Sequence, residues 1–123
     1  MPTSEDYFAQ LRTLYANVKD AYDRLNRAQS AADREVSAIY HEIERTEFDD
    51  DSAIAVVLLL QNSLRKRRAI KDEFRRLAPI YEMFNANIGP TEERYFKIAA
   101  KSAELRHSLN VTLTISDIYN SIT

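Results

Sequence analysis

The sequence predicts an all-α protein built on a long antiparallel coiled-coil hairpin, with a third helix packed at its open end. Two long stretches carry apolar residues at alternating spacings of three and four, a repeat that keeps one face of a helix against a partner helix. The 123 residues include one glycine and three prolines, so turns are few and the helices must be long. A chain of this length is expected to form a single domain, residues 1–123.

The first helix is predicted over residues 4–46. Its apolar repeat runs from Phe8 to Ile43, and Gln29 is the one strongly polar residue in it. Either Thr3 or Ser4 is suited to cap the helix, because the hydroxyl of each can accept a hydrogen bond from a free backbone N–H of the first turn. Acidic residues follow at once, where they stabilise the positive end of the helix dipole.

The second helix is predicted over residues 52–87, with a kink near Pro79. Proline lacks the backbone N–H that an α-helix uses and crowds the carbonyl four residues earlier. The segment from Asn87 to Pro90 is the strongest stop signal in the chain and is expected to end this helix. A third helix is then predicted over residues 91–120.

The third helix is expected to cover only the open end of the hairpin. Residues on one side of the first repeat are apolar or small over four heptads, and the same position then becomes glutamate: Tyr7, Leu14, Ala21, Ala28, Glu35 and Glu42. The wide apolar face predicts two neighbouring helices there, and the narrow face predicts one neighbour near the hairpin tip. The expected architecture is therefore a three-helix bundle from which a two-helix tip protrudes.

The polar interruptions of the two repeats are predicted to meet. A tight turn near residue 49 would bring Gln29 and the small Ala32 opposite Arg67 of the second helix. Polar layers inside helical pairs fix the register of one helix against the other, often at a cost in stability. Gln29 and Arg67 are therefore predicted to form a register layer.

The tip is predicted to bind a partner. Residues 54–60 are apolar on every helical face, yet only one neighbouring helix is expected to cover them. Contiguous exposed apolar surface usually marks an interface, so Ile54, Val57 and Leu58, with Phe48 in the connection, are the predicted partner-binding residues. The alternative is burial under the end of the third helix. A homodimer that completes a four-helix bundle would be the simplest use of this surface.

A basic stretch of the second helix offers electrostatic contacts to a partner through Arg65, Arg68, Lys71 and Arg75. Such a cluster resembles the electrostatic footprint of a nucleic-acid-binding protein. However, Asp72 and Glu73 interrupt it, and no aromatic residue is interleaved to stack on bases. The first helix is also expected to supply acidic residues across the helical pair: Asp20, Asp23, Asp33 and Glu35. A solvated face with salt bridges is the favoured interpretation, and nucleic-acid binding is the alternative.

Composition and motifs provide no basis for catalysis. The chain has no cysteine, which excludes disulfides and thiolate chemistry, and its net charge of −2 gives no overall attraction to nucleic acid or anionic membranes. Glu104 and His107 have the spacing of one half of a di-iron site, but a second such pair is missing. We expect no enzyme activity, no cofactor and no metal site. The absence of a signal peptide or a long apolar run predicts a cytoplasmic protein without a membrane segment.

Two segments carry a resemblance to a known group of proteins: EVSAIYHEIE, residues 35–44, and LQNSLRKRRAIKDE, residues 60–73. They are similar to small, uncharacterised helical coiled-coil accessory proteins of bacteriophages that infect Gram-positive bacteria. The resemblance implies no catalytic residues, and it implies a host protein as the partner. The predicted function is a non-enzymatic protein-binding module, a phage-encoded modulator or inhibitor of a host protein, including one of a defence system. A nucleic-acid-binding protein and a structural coiled-coil spacer are the alternatives.

Overall fold

The protein is all helical in a computed structural model that describes the backbone of residues 2–122 and the side chains of residues 2–119. The helices are α1 (Ser4–Arg45), α2 (Asp50–Ser108) and α3 (Ile115–Ile122). None of residues 2–122 lies in a strand, and the two long helices pack against each other. The prediction of an all-α protein is confirmed.

All three helices begin with the same four-residue signal. The first residue donates its backbone N–H to a side-chain oxygen of the fourth at 2.8–3.0 Å, in the pairs Thr3–Asp6, Asp49–Ser52 and Thr114–Asp117. The backbone N–H groups of Ser52 and Asp117 donate back to the side chains of Asp49 and Thr114. This reciprocal arrangement is a capping box, which satisfies N–H groups that a helix leaves free at its start. Hydrogen bonds from Ser52 and from Thr114 lower the pKa of Asp49 and of Asp117, respectively.

The predicted end of the second helix at residues 87–90 is wrong, because α2 continues through both Pro79 and Pro90. Each proline removes one hydrogen bond from a helix that keeps the bonds on either side of it. Gly89 has no Cβ to clash with the ring of Pro90, which eases the usual restriction on the residue before proline. The Asn87 side chain also donates to the carbonyl of Met83 at 2.6 Å. The kink near Pro79 stays a prediction.

The predicted third helix over residues 91–120 is also wrong, because its first part belongs to α2. That helix ends in a Schellman motif, in which Val111 donates to the Arg106 carbonyl at 2.8 Å and Asn110 to the His107 carbonyl at 3.2 Å. Asn110 adopts a left-handed φ of 54°, a conformation that asparagine tolerates better than most residues. Only the eight residues of α3 remain helical beyond it, so Tyr7 and Leu14, which were expected to pack against a long third helix, are exposed.

The described chain divides into two compact units. Unit 2, Val18–Tyr81, contains the end of α1, the connection and the start of α2. Tyr22 stacks on Tyr81 with ring centroids 4.0 Å apart, and it lies 5.0 Å from the ring of Phe74. The core also contains small residues, since Ser63 and Ala32 are almost fully enclosed, and small side chains let two helices approach closely.

Unit 1 contains the residues up to Asn17 and those from Glu82 onward. Aromatic residues hold the start of α1 against the later part of α2. Phe8 stacks on Tyr95 with ring centroids 4.1 Å apart, and Tyr15 lies 6.1 Å from the buried ring of Phe84. Because Phe8 meets a later residue of α2 than Tyr15 does, α1 and α2 run antiparallel in this unit.

Candidate protein-binding surface

An ion-paired cluster links the two helices of unit 2 at the level of the predicted register layer. The Arg67 side chain donates from Nε to Asp33 Oδ1 at 2.7 Å, and Lys71 Nζ lies 3.3 Å from the same oxygen. Partial burial raises the pKa of Asp33, but the hydrogen bonds and charges of Lys71 and Arg67 together lower it further, so the net direction is down. Asp33 is therefore held as a carboxylate between two cations.

The predicted partner of Arg67 differs from the observed one. Gln29 lies half-buried in α1, and Asp33, one helical turn later, takes the position that meets Arg67. A carboxylate gives a charge-assisted hydrogen bond, which an amide cannot, so it is the stronger partner for a guanidinium. Whether Gln29 and Arg67 set the register stays a prediction.

We expect Arg67→Leu to change the free energy of unfolding by no more than about 1 kcal/mol, because Lys71 remains to pair with Asp33 and half-exposed ion pairs contribute little. Chemical denaturation measures this value. Arg24→Leu is the matched control, since Arg24 pairs with Asp20 on its own helix and links no second element. A loss of more than about 2 kcal/mol specific to Arg67→Leu would instead identify Arg67 as the anchor of the helical pair.

The surface beside the connection is apolar and open. We call Ile54, Val57 and Leu58 the tip surface; these side chains are 61%, 61% and 59% exposed. Leu59 is also exposed, whereas Phe48 in the connection is half-buried. The sequence therefore located the exposed apolar residues correctly, and nothing among the described residues of unit 2 covers them. An exposed group of large apolar side chains is the usual mark of an interaction site.

An open groove of about 750 Å³ begins at this surface and follows α2. We call it the basic groove. Its lining is apolar at one end and cationic at the other: Val57, Leu60, Gln61, Leu64, Arg65, Arg67, Arg68, Lys71 and Arg75. The four residues predicted for electrostatic contacts all lie in it, and Val57 belongs to both surfaces. The structure thus joins two predicted sites, one apolar and one basic, into one continuous surface of unit 2.

The charge of the basic groove is only partly neutralised by the protein itself. Asp33 pairs with Arg67 and Lys71. By contrast, no carboxylate of the described residues forms a salt bridge with Arg65, Arg68 or Arg75. Three guanidinium groups are therefore available to an acidic ligand, and each can make two parallel hydrogen bonds to a carboxylate.

Sequence reasoning did not assign Leu60 and Leu64, the apolar floor of the groove, to the basic surface, whereas it did place Asp33 across the helical pair from the basic stretch. The second predicted repeat, which we call the seam of α2, consists of Ala53, Val56, Leu60, Ser63, Arg67, Ile70, Phe74, Leu77, Tyr81 and Phe84. A signal for Leu64 was present, because six lining residues follow a seam residue by one position and repeat the same spacing: Val57, Gln61, Leu64, Arg68, Lys71 and Arg75. The charge pattern indicated an ion pair for Asp33, but its partners, Arg67 and Lys71, depend on the three-dimensional register of the two helices.

Comparisons of the chain with models of protein families, with curated proteins and with solved structures find no match. Over residues 2–122, no helix combines the length and the apolar character that crossing a membrane requires.

Proposed function

We propose that this protein is a non-enzymatic protein-binding module that captures its partner with the tip surface and the basic groove. One observation supports this most directly: three large apolar side chains, each about 60% exposed, lie at the head of a groove that carries unneutralised arginines. Apolar surface provides the free energy of binding, and the charges select a partner of complementary sign. The partner surface should therefore be apolar with an acidic margin.

The antiparallel pairing of α1 and α2 in unit 2 supports the proposal in a second way. A side chain on a packed helical pair is held by its neighbours, so the tip residues need little ordering when they bind. In the setting that the sequence resemblance implies, the partner is a host protein, met in the cytoplasm by a phage-encoded modulator. The chain would then act stoichiometrically, by covering a surface of that protein.

We expect Leu58→Asp to abolish partner capture while helicity and the melting temperature stay nearly unchanged. The side chain is mostly exposed, so the fold loses little, whereas a partner would have to remove water from the new carboxylate. The expected weakening is at least about 30-fold, which corresponds to roughly 2 kcal/mol. Affinity purification from a Gram-positive host with mass spectrometry, alongside circular dichroism of each variant, measures both effects.

Ile98→Asp is the matched control, because Ile98 lies on the same helix with the same 59% exposure but in unit 1. It should capture the same proteins as the wild type. Equal loss in both variants would show that any added carboxylate blocks capture. Unfolding of Leu58→Asp would show that the tip surface belongs to the core, and the binding site would then have to be sought elsewhere.

Nucleic-acid binding is the second candidate, favoured by the three unpaired arginines of the basic groove. None of its lining residues is aromatic, so base stacking is not available within it. We expect no binding to a short single-stranded RNA or a DNA duplex at micromolar protein and near-physiological salt. Binding that falls steeply as salt rises would support this second candidate instead.

A further inference from the structure

The basic groove has an acidic counterpart on the same helix. Asp50 lies one heptad before Val57, so it shares a helical face with the groove residues. Asp51 follows it in the first turn of α2, and Glu47 precedes it in the connection. All three are exposed, and none forms a salt bridge with a cation of the described residues. One face of α2 is therefore acidic at Asp50, apolar in its middle part and mainly basic after Gln61, with Asp72 between Arg68 and Arg75.

When two copies of this face pair in antiparallel orientation, the acidic end of each meets the basic end of the other. At 1.5 Å per residue, Asp50 lies about 17 Å before Gln61 along the helix axis, and Arg68 and Arg75 lie about 10 and 21 Å after it. A second copy placed antiparallel about a two-fold axis at Gln61 brings Asp50 of each copy to the level of Asp72 of the other. Arg68 and Arg75 flank this level on either side, so that cations lie next to both carboxylates. Val57 of each copy then faces the level of Leu64 and Arg65 of the other.

We propose that the occupant of the basic groove is a second copy of this chain, bound through α2 in an antiparallel, two-fold symmetric dimer. This inference rests on the proposed function, whose binding surface it uses. The dimer and the complex with a host protein use the same surface, so a second copy and a host protein exclude each other from it. In the two-fold dimer, the acidic residues at the start of α2 in each copy face the arginines of the basic groove in the other, so this contact forms twice. The tip surfaces of both copies are covered in the same interface. The dimer places the two helical pairs of unit 2 side by side, as in a four-helix bundle.

A charge exchange tests the arrangement. Variant A carries Arg68→Glu and Arg75→Glu, and variant B carries Asp50→Lys and Asp51→Lys. In a dimer of either variant with itself, like charges face each other at both clusters. In the mixed dimer, one cluster keeps the natural pairing and the other is reversed, so both clusters are attractive. No other occupant of the groove predicts recovery on mixing.

Sedimentation equilibrium of the chain, at concentrations up to roughly 100 µM, measures the dissociation constant of the dimer. We expect the wild type to dimerise more weakly as salt rises. Variants A and B should each dissociate at least about tenfold more readily than the wild type, and an equimolar mixture should recover dimer. Arg94→Glu with Lys101→Glu makes the same change of charge as variant A on exposed residues of unit 1 and should dimerise like the wild type. Circular dichroism establishes that each variant is folded.

A monomeric wild type, undiminished dimerisation of folded variant A, or a folded mixture that stays monomeric would overturn the proposal. These outcomes leave the proposed function intact if Leu58→Asp still loses a captured host protein that the wild type retains. If the wild type neither self-associates nor captures any protein that Leu58→Asp loses, the proposed function fails as well. Binding of the monomer to a short RNA instead would assign the groove to nucleic acid and overturn both.

Discussion

Replacing Phe84 by alanine is expected to lower the free energy of unfolding by about 3–5 kcal/mol. Phe84 is 7% exposed and is the one buried apolar side chain among the described residues of unit 1. Its ring faces Tyr15, whose hydroxyl donates to the side chain of Asn85. Removing the ring would leave a cavity that two paired helices can close only in part. A loss of this size is a large share of the roughly 5–15 kcal/mol that stabilises an ordinary domain.

The control for this change is the residue before it. Met83 is 54% exposed, so Met83→Ala removes a side chain of similar size from solvent rather than from the core. We expect Met83→Ala to lower the free energy of unfolding by less than about 1 kcal/mol. Urea denaturation followed by circular dichroism compares the two variants. Similar losses for both would mean that Phe84 is not the anchor of unit 1.

Replacing Pro90 by alanine is expected to raise the free energy of unfolding by about 1–3 kcal/mol. Alanine restores an N–H that can donate to the carbonyl of Ala86, and it removes a ring that crowds that carbonyl. Alanine also gives the unfolded chain more conformational freedom than proline does, and this offsets part of the gain in the free energy of unfolding. The helical content should hardly change, because the helix already continues through residue 90. Thermal and urea denaturation give the stability, and circular dichroism gives the helical content.

Pro2→Ala provides the comparison, because Pro2 lies before α1 and takes no part in a helix. It should leave stability unchanged or slightly lowered. Destabilisation by Pro90→Ala, together with rapid amide exchange across residues 86–94, would place a real break in α2 and restore the turn expected from the sequence.

The pairing of α1 with α2 could be read from the sequence because it depends on a local repeat. From Phe8 to Ile39, and from Ala53 to Phe84, every position of the predicted seams is at least half-buried in the structure. A spacing of three and four specifies a helix face whatever lies opposite it. The exposed apolar residues of the tip followed from the same reasoning, since they fall outside the seam.

The predicted turn after Asn87 failed because tertiary packing outweighed local preference. A glycine and a proline inside a helix cost about 1 and 3 kcal/mol. Against this, a continuous helix brings Phe84 and Tyr95 onto the same face, where Tyr15 and Phe8 pack on them. For each ring, burial of a large aromatic side chain contributes a stabilising free energy comparable to the cost of the glycine or the proline. The cost of a glycine and a proline in the helix can be read from the sequence, but the aromatic contacts with α1 that offset this cost depend on the three-dimensional packing.

Each lining residue of the basic groove from Gln61 to Arg75, apart from Arg65 and Arg67, follows a seam residue by one position. Apart from Leu60 and Arg67, which belong to both the seam and the groove, folding and recognition are therefore encoded at adjacent but separate positions of one helix. Mutations at the groove positions can alter which molecule is bound while the seam, and with it the helical pair, is inherited unchanged. A chain of this kind can evolve a new specificity without passing through an unfolded intermediate sequence.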